Sequence, residues 1–314
     1  MGANYELRLI TGSANPDLAQ EIADRLHTRL TDVEVSRFAD GEIFVKLNEN
    51  VRGRDVFIVQ PTNSPADNLM ELLLLIDAAR RASAHRIAAV VPYYGYARAD
   101  RKDQPRVAIS AKVVANMLTR AGADRLITID LHSHQVQGFF DIPLDHLYAS
   151  PVFLEYFHEK NLGEVAVVAP DVGAAKMARG FARRMDGSIA LIDKRRPRPN
   201  EAQIVHLVGD VEGKTAIIID DMIDTGGTFA QAAYALKEHG ARAVYGCATH
   251  ALLSDDCTQK LQEAPFEEVC VTNTVHIPDE RKFSKLKVLS IGDLLSKAIT
   301  YNHEYQSVSS LFPE

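Results

Sequence analysis

Residues Ile217-Ile218-Ile219-Asp220-Asp221-Met222-Ile223-Asp224-Thr225-Gly226-Gly227-Thr228 decide how the rest of the chain is read. An apolar, β-branched run ends in two adjacent carboxylates. A third acid follows, and Thr-Gly-Gly-Thr then opens a helical pattern. An uninterrupted run of this kind marks a strand buried on both faces, as parallel strands are. In open α/β sheets, ligands bind beyond the carboxyl ends of the strands. Glycines let the backbone approach a phosphate, and a helix start aims free N–H groups at it. Thr225 and Thr228 add hydroxyl donors. Asp220 and Asp221 can accept from sugar hydroxyls, directly or through a metal. One loop thus suits a sugar phosphate, with anion donors at one end and hydroxyl acceptors at the other. The plainer alternative is an acidic turn with a helix cap; three aspartates after a buried strand favour the site. No GxxxxGK[ST] run occurs, so this is not a Walker loop.

Outward from this segment the same pattern repeats. Short apolar runs at 7–10, 56–59, 87–91, 126–129, 165–168, 189–192, 216–219 and 244–247 read as strands. Helical stretches at 69–82, 111–121 and 229–239 lie between them. Strand alternating with helix means an α/β fold with a parallel sheet. Ser150-Pro151 announces a helix, serine as cap and proline in the first turn, running to about 161–163. A domain boundary is expected there. Gly53-Arg54-Asp55-Val56-Phe57-Ile58-Val59-Gln60 parallels Gly213-Lys214-Thr215-Ala216-Ile217-Ile218-Ile219-Asp220. Each is followed by a loop, a long helix and another strand, so two duplicated domains are expected. Their ranges are 1–149 and 150–300, followed by a tail at 301–314.

Composition bounds the function. The 314 residues suffice for two domains with real cores. Forty-two acids against 35 bases give a net charge of −7, which argues against nucleic acid as a partner. Charges such as Glu71 and Asp77 interrupt the richest apolar stretch, so no membrane span is expected. Residues 1–6 lack the basic and apolar regions of a signal peptide. Three cysteines without a CxxC pair argue against a disulfide scaffold or structural zinc and point to a reducing cytoplasm.

The 217–228 segment resembles the phosphoribosyl-diphosphate loop of type I phosphoribosyltransferases and of ribose-phosphate pyrophosphokinases. Other segments separate the two groups. Asp130-Leu131-His132-Ser133-His134-Gln135-Val136-Gln137-Gly138-Phe139-Phe140-Asp141-Ile142-Pro143-Leu144-Asp145-His146-Leu147-Tyr148-Ala149 is similar to the long signature of the pyrophosphokinases. So are Arg37-Phe38-Ala39-Asp40-Gly41-Glu42, Pro92-Tyr93-Tyr94-Gly95-Tyr96-Ala97-Arg98 and the tail Ser307-Val308-Ser309-Ser310-Leu311-Phe312. The chain is identified as a member of the pyrophosphokinase family, of its phosphate-activated class. The resemblance implies two type I phosphoribosyltransferase-like domains, nucleotide-binding first and ribose 5-phosphate-binding second. It implies transfer of the diphosphoryl group of ATP to the anomeric hydroxyl of ribose 5-phosphate. The products are AMP and 5-phosphoribosyl 1-diphosphate, a precursor of nucleotides, histidine and tryptophan.

Roles follow from the same resemblance. Lys194 and Arg196, in the cationic run Lys194-Arg195-Arg196-Pro197-Arg198, match the catalytic flexible loop. Taken alone, that run reads as a solvated hairpin tip. Arg196, Asp220, Asp221, Asp224, Thr225, Gly226, Gly227 and Thr228 match the ribose 5-phosphate site. Phe38, Asp40, Gly41, Glu42, Arg98, Ala99 and Arg101 match the ATP site, Phe38 stacking on adenine. In the family the adenine contacts come from a neighbouring subunit, which implies a homo-oligomer, with a homohexamer expected. His132, Asp130 and Asp171 match the Mg2+ site. For Asp130 and His132 a spacing of two puts both on one side if the chain stays extended. For Asp171 a helix cap is the bland alternative. Arg52, Arg106, Ser307 and Ser309 match a regulatory site for activation by phosphate and inhibition by ADP. The chain departs from the family at Ala99 (commonly Gln), Val107-Ala108, Ala251 (often Gly) and Ser310. A phosphoribosyltransferase and a non-catalytic regulatory homologue are the competing readings. The former lacks the 130–149 signature, and the latter carries insertions near the catalytic loop.

Overall fold

The architecture follows from two parallel sheets, each fed by alternating strands and helices. The computed structural model describes residues 5–195 and 204–312. It divides into two units, Met1–Tyr148 with Thr274–His276 and Ile291–Glu314, and Ala149–Asn273 with Ile277–Ser290.

The first unit contains β1 (Leu7–Thr11), α1 (Pro16–Arg25), β2 (Val33–Arg37), β3 (Ile43–Leu47), β4 (Asp55–Val59), α2 (Asp67–Arg81), β5 (Arg86–Val91), α3 (Ser110–Ala121), β6 (Arg125–Ile129) and β7 (Leu144–Leu147). Its main sheet has the order β1-β4-β5-β6-β7, every pairing parallel. β2 and β3 form a separate antiparallel hairpin. All five residues of β4 are buried, as the apolar run requires. The core combines Ile58, Ala89 and Leu126 of the sheet with Leu72, Leu75 and Ile76 of α2 and Val114 and Leu118 of α3.

The second unit contains α4 (Ser150–His158), β8 (Val165–Ala169), α5 (Ala175–Arg184), β9 (Ser188–Arg195), β10 (Ile204–Val208), β11 (Thr215–Ile223), α6 (Gly227–Glu238), β12 (Ala243–Ala251), α7 (Cys257–Glu263), β13 (Glu268–Thr272) and β14 (Leu286–Leu289). The sheet order is β10-β9-β8-β11-β12-β13-β14, parallel except for β10 against β9. The series β8-β11-β12-β13-β14 repeats β1-β4-β5-β6-β7, each with a hairpin inserted after its first strand. The expected duplication is therefore a duplication of topology. The helix at Ser150 starts after Ala149, which gives no side-chain cap, and stops at His158, short of 161–163.

The last helix, α8 (Gly292–His303), belongs to the first unit, not to the second domain that a 150–300 range describes. Its apolar face, Leu295, Ala298 and Ile299, is fully buried. Arg25 of α1 pairs with Asp293 at 3.4 Å. At the other end His303 Nδ1 donates to Asp55 Oδ2 (2.8 Å), Arg86 pairs with Asp55, and Arg86 Nη2 donates to the Asn302 carbonyl (2.9 Å). Asn302 Nδ2 reaches Asp145 Oδ2 (3.0 Å), which also takes Arg125 (2.8 Å). Buried carboxylates demand such partners. These acids stand at the start of β4 and near the start of β7, so the chain returns to the first sheet to satisfy them. Among the described residues no helix is long and apolar enough to cross a membrane.

Candidate active site

β11 outruns its neighbour. Thr215–Ile218 pair with Val165–Val168 of β8, while residues 220, 222 and 223 pair only with β12. The carboxylates of Asp220 and Asp221 thus stand at the level where β8 has given way to the loop carrying Asp171. Successive strand residues face opposite sides. Asp221 is buried and its N–H donates to Asp220 Oδ1 at 2.9 Å. Burial, then the charge of Asp221, a hydrogen bond with it and the charge of Asp171 push the Asp220 carboxyl up to about 8. Such crowding of acids favours binding of hydroxyl donors or a cation. Asp171 is exposed, and its Oδ1 accepts from Ala174 N at 3.2 Å, holding the turn into α5. The cap role leaves room for a ligand role, since a carboxylate has a second oxygen.

After Asp224 the chain turns through Gly226, whose φ of 72° lies in the left-handed region, and α6 begins at Gly227. A Cβ on Gly226 would stand 2.7 Å from Cys257 Sγ; one on Gly227 meets nothing within 4 Å. Gly226 is therefore demanded by the fold, while the space beside Gly227 is open. The N-cap residue of α6, Gly226, has no side chain with which to cap the helix, and an uncapped first turn suits an anion. Thr225 and Thr228 are exposed beside them. The loop is braced from behind: Leu252 N (2.9 Å) and Leu253 N (3.2 Å) donate to the Ile223 carbonyl, and Ser254 N to the Asp224 carbonyl (2.9 Å). Asp220, Asp221, Asp224 and Thr225–Thr228, with Asp171, are thus brought together at one sheet end.

In the first unit the residues predicted for nucleotide and metal fall in three places. Phe38, Asp40, Gly41 and Glu42 form the tip of the β2–β3 hairpin. Phe38 N donates to the Glu42 carbonyl and Gly41 N to the Phe38 carbonyl, both at 2.9 Å. Phe38 is 56% exposed, touching Phe44 edge-on at 5.6 Å; core packing does not explain it. Arg98 and Arg101 are exposed in the stretch after β5, with Ala99 between them partly covered. Asp130 and His132 follow β6. Asp130 has φ 37°, so the chain is not extended there and the same-side argument for the pair fails. Asp130 is buried and His132 exposed. His146 Nε2 accepts from Leu131 N at 2.9 Å and so fixes the backbone between them. Sequence reasoning assigns His146 no role, and its place inside the 130–149 signature is the only signal.

Arg52, Arg106, Ser307 and Ser309 are all exposed. The two serine hydroxyls share a hydrogen bond of 2.7 Å. Lys194 lies in β9 opposite Val205, and Arg196 lies outside the described residues. Among the described residues no group of three or more His, Cys, Asp or Glu side chains forms a ready metal cage.

The chain matches two family models: the N-terminal domain of ribose phosphate pyrophosphokinase over residues 7–122, and the phosphoribosyl synthetase-associated domain over residues 195–313. It is 54% identical over 308 residues to a ribose-phosphate pyrophosphokinase of Gloeobacter violaceus, covering 98% of this chain and 93% of that one. It is 51% identical to one of Caldanaerobacter subterraneus, with 98% of each covered. The phosphoribosylpyrophosphate synthetase structure from Mycobacterium smegmatis superimposes with a TM-score of 0.91 at 44% identity, covering 96% of this chain and 99% of that one. With the acidic strand end, the uncapped glycine turn and the duplicated sheets, these likenesses establish that the chain belongs to the ribose-phosphate pyrophosphokinase family.

Proposed function

We infer that this chain transfers the diphosphoryl group of ATP to O1 of ribose 5-phosphate, releasing AMP and 5-phosphoribosyl 1-diphosphate. The observation that carries the reading is the turn at Asp224–Thr228, where an uncapped helix start follows directly on a crowded pair of carboxylates. The backbone amides of Gly227 and Thr228 and the hydroxyls of Thr225 and Thr228 take the 5-phosphate. Asp220 and Asp221 orient the ring through its hydroxyls. The anomeric hydroxyl gives up its proton to water as its oxygen attacks the β-phosphorus. The bond between that phosphorus and the oxygen it shares with the α-phosphate breaks, AMP leaves with that oxygen, and negative charge builds on the phosphate oxygens. Lys194 and Arg196 stabilise that charge. Phe38 stacks on adenine, Asp40 and Glu42 accept from its amine, and Arg98 and Arg101 meet the phosphates. Residues 38–42 act on a neighbouring copy of the chain, in a homohexamer.

The donors present fit magnesium. It takes one or two carboxylates and fills its remaining positions with water and substrate phosphates. Asp130, Asp171 and His132 are the residues assigned to it, and the ion neutralises phosphate charge when bound. Phosphate and ADP act at Arg52, Arg106, Ser307 and Ser309. Incubation with ATP, magnesium and ribose 5-phosphate tests the reading: AMP and 5-phosphoribosyl 1-diphosphate should appear in equal amounts. A phosphoribosyltransferase or a non-catalytic homologue would release neither. Light scattering with and without phosphate tests the hexamer.

A further inference from the structure

The phosphate turn is held in place by a second loop, and that loop is itself held by one side chain. Residues 252–256 link β12 to α7. Leu253 (φ 48°) and Asp255 (φ 54°) both sit in the left-handed region, which costs non-glycine residues energy. A loop in that conformation persists only where its surroundings hold it. On one side its amides grip the cradle: Leu252 N and Leu253 N bond the Ile223 carbonyl, and Ser254 N bonds the Asp224 carbonyl. Cys257, directly after it, lies against Gly226 and is fully buried. On the other side stands Arg281, in the short 3-10 helix Asp279–Arg281. Its Nη1 donates to the Leu253 carbonyl at 2.9 Å and to the Asp255 carbonyl at 2.6 Å. These are the carbonyls of the two left-handed residues.

We propose that Arg281 is a positioning residue for ribose 5-phosphate: it clamps the 252–256 loop, which sets the height of the Asp224–Thr228 turn. This rests on the assignment of that turn to the sugar phosphate. Arg281 bonds the Leu253 and Asp255 carbonyls, outside the turn itself. Its effect passes through Leu253, Ser254 and the Asp224 carbonyl. Loss of the clamp frees the loop to relax, and the amides that must converge on the phosphate lose their preset geometry. The cost falls on binding of the sugar phosphate and not on binding of ATP. Because a single nitrogen makes both bonds, an ammonium with three donors can replace it.

The test compares unmodified protein, Arg281→Ala and Arg281→Lys by steady-state kinetics and by calorimetric titration with ribose 5-phosphate. Arg281→Ala should raise KM and Kd for ribose 5-phosphate about tenfold, the factor that one charge-assisted hydrogen bond commands. The KM for ATP should move less than about twofold and kcat less than about threefold, both well inside that factor. Arg281→Lys should recover most of the loss. Equal ribose 5-phosphate binding by the Ala variant, or an equal rise in both KM values, overturns the clamp. If the Ala variant fails to fold, amide hydrogen exchange on the unmodified protein decides. Addition of ribose 5-phosphate should slow exchange at Leu253 and Ser254; unchanged rates overturn the proposal. If the unmodified chain binds no ribose 5-phosphate, it is the assignment of the turn that fails.

Discussion

Replacing Asp220 by Asn should stabilise the unliganded protein at alkaline pH while crippling its use of ribose 5-phosphate. The Asp220 carboxyl is pushed from 3.8 up to about 8, by burial first and then by Asp221 and Asp171. In the unfolded chain it ionises near pH 4. Between about pH 4 and pH 8 the folded chain therefore holds a proton that the unfolded chain has lost. Stability then falls as pH rises through this window, and the full penalty stands above pH 8. A displacement of roughly 4 pH units corresponds to a ceiling of about 5 kcal/mol at 1.36 kcal/mol per unit. Asp220 is only partly buried, so about 1–3 kcal/mol is the working figure after screening.

For units of this size about 1 kcal/mol moves the melting temperature by about 2–4 °C. Asparagine keeps the oxygen that accepts from Asp221 N and removes the charge. The assay is a ligand-free thermal melt of both proteins from pH 5 to pH 9. The variant should melt about 3–10 °C above the parent at pH 8.5, with a difference that shrinks towards pH 5. With magnesium and ribose 5-phosphate the order should reverse, because only the parent gains the hydroxyl contacts. A pH-independent difference, or a variant that melts lower at pH 8.5 without ligand, refutes the argument that crowded carboxylates store this energy.

Lys194→Ala should leave the melting curve in place and lower turnover by about 10²–10³, the usual loss for one group facing transition-state charge; near-normal turnover removes Lys194 from catalysis. Gly226→Ala should cost about 1–3 kcal/mol from the left-handed backbone, with a further loss where the new Cβ meets Cys257 Sγ at 2.7 Å. Cys257→Gly in the same chain should return that second part, read as a partial recovery in melting temperature, whereas Gly227→Ala should spare stability and weaken phosphate binding. Phe38→Ala should shift the melting temperature by less than about 2 °C, as expected for an exposed side chain, yet raise the KM for ATP; an unchanged KM ends its stacking role.

What the sequence shows and hides follows from how far each interaction reaches along the chain. The eight apolar runs read as strands all appear as strands, because a buried parallel strand advertises itself over four or five residues. β2 (VEVSR) and β3 (IFVKL) escape that search because they alternate partly buried and exposed positions in a two-stranded hairpin. β7 (LDHL) hides for the opposite reason: its Asp145 and His146 are buried polar residues, bonded to Arg125, Asn302 and the Leu131 amide. The attachment of α8 depends on pairs such as Asp55 with His303, 248 residues apart, and no local pattern announces them. The acidic turn at 220–228 is legible because its chemistry lies in consecutive residues. Its brace is not, because Ser254 acts through its amide and Arg281 through two carbonyls, neither of which leaves a signature in side-chain type.

The duplication also explains why one copy carries the cradle and the other does not. By topology β4 corresponds to β11, and Gln60, directly after β4, stands where β11 has Asp220. Gln60 is completely buried and its amide is spent inside the fold: Oε1 accepts from Ala14 N (3.0 Å), and Nε2 donates to the Asn68 carbonyl and to Glu71 (both 3.2 Å). Glu71, a buried acid on α2, accepts in addition from Ser13 Oγ at 2.6 Å. A Cβ on Gly12 would meet Gln60 Oε1 at 2.2 Å, so the end of β1 is closed against this amide. The first sheet thus fills this position with side chains that satisfy one another. A neutral amide with its partners supplied internally costs little to bury, whereas the second sheet keeps two acids crowded together, one of them driven to hold its proton up to about pH 8. Perturbed acids of that kind cluster at functional sites, which supports the proposal that the sugar phosphate binds at the second sheet.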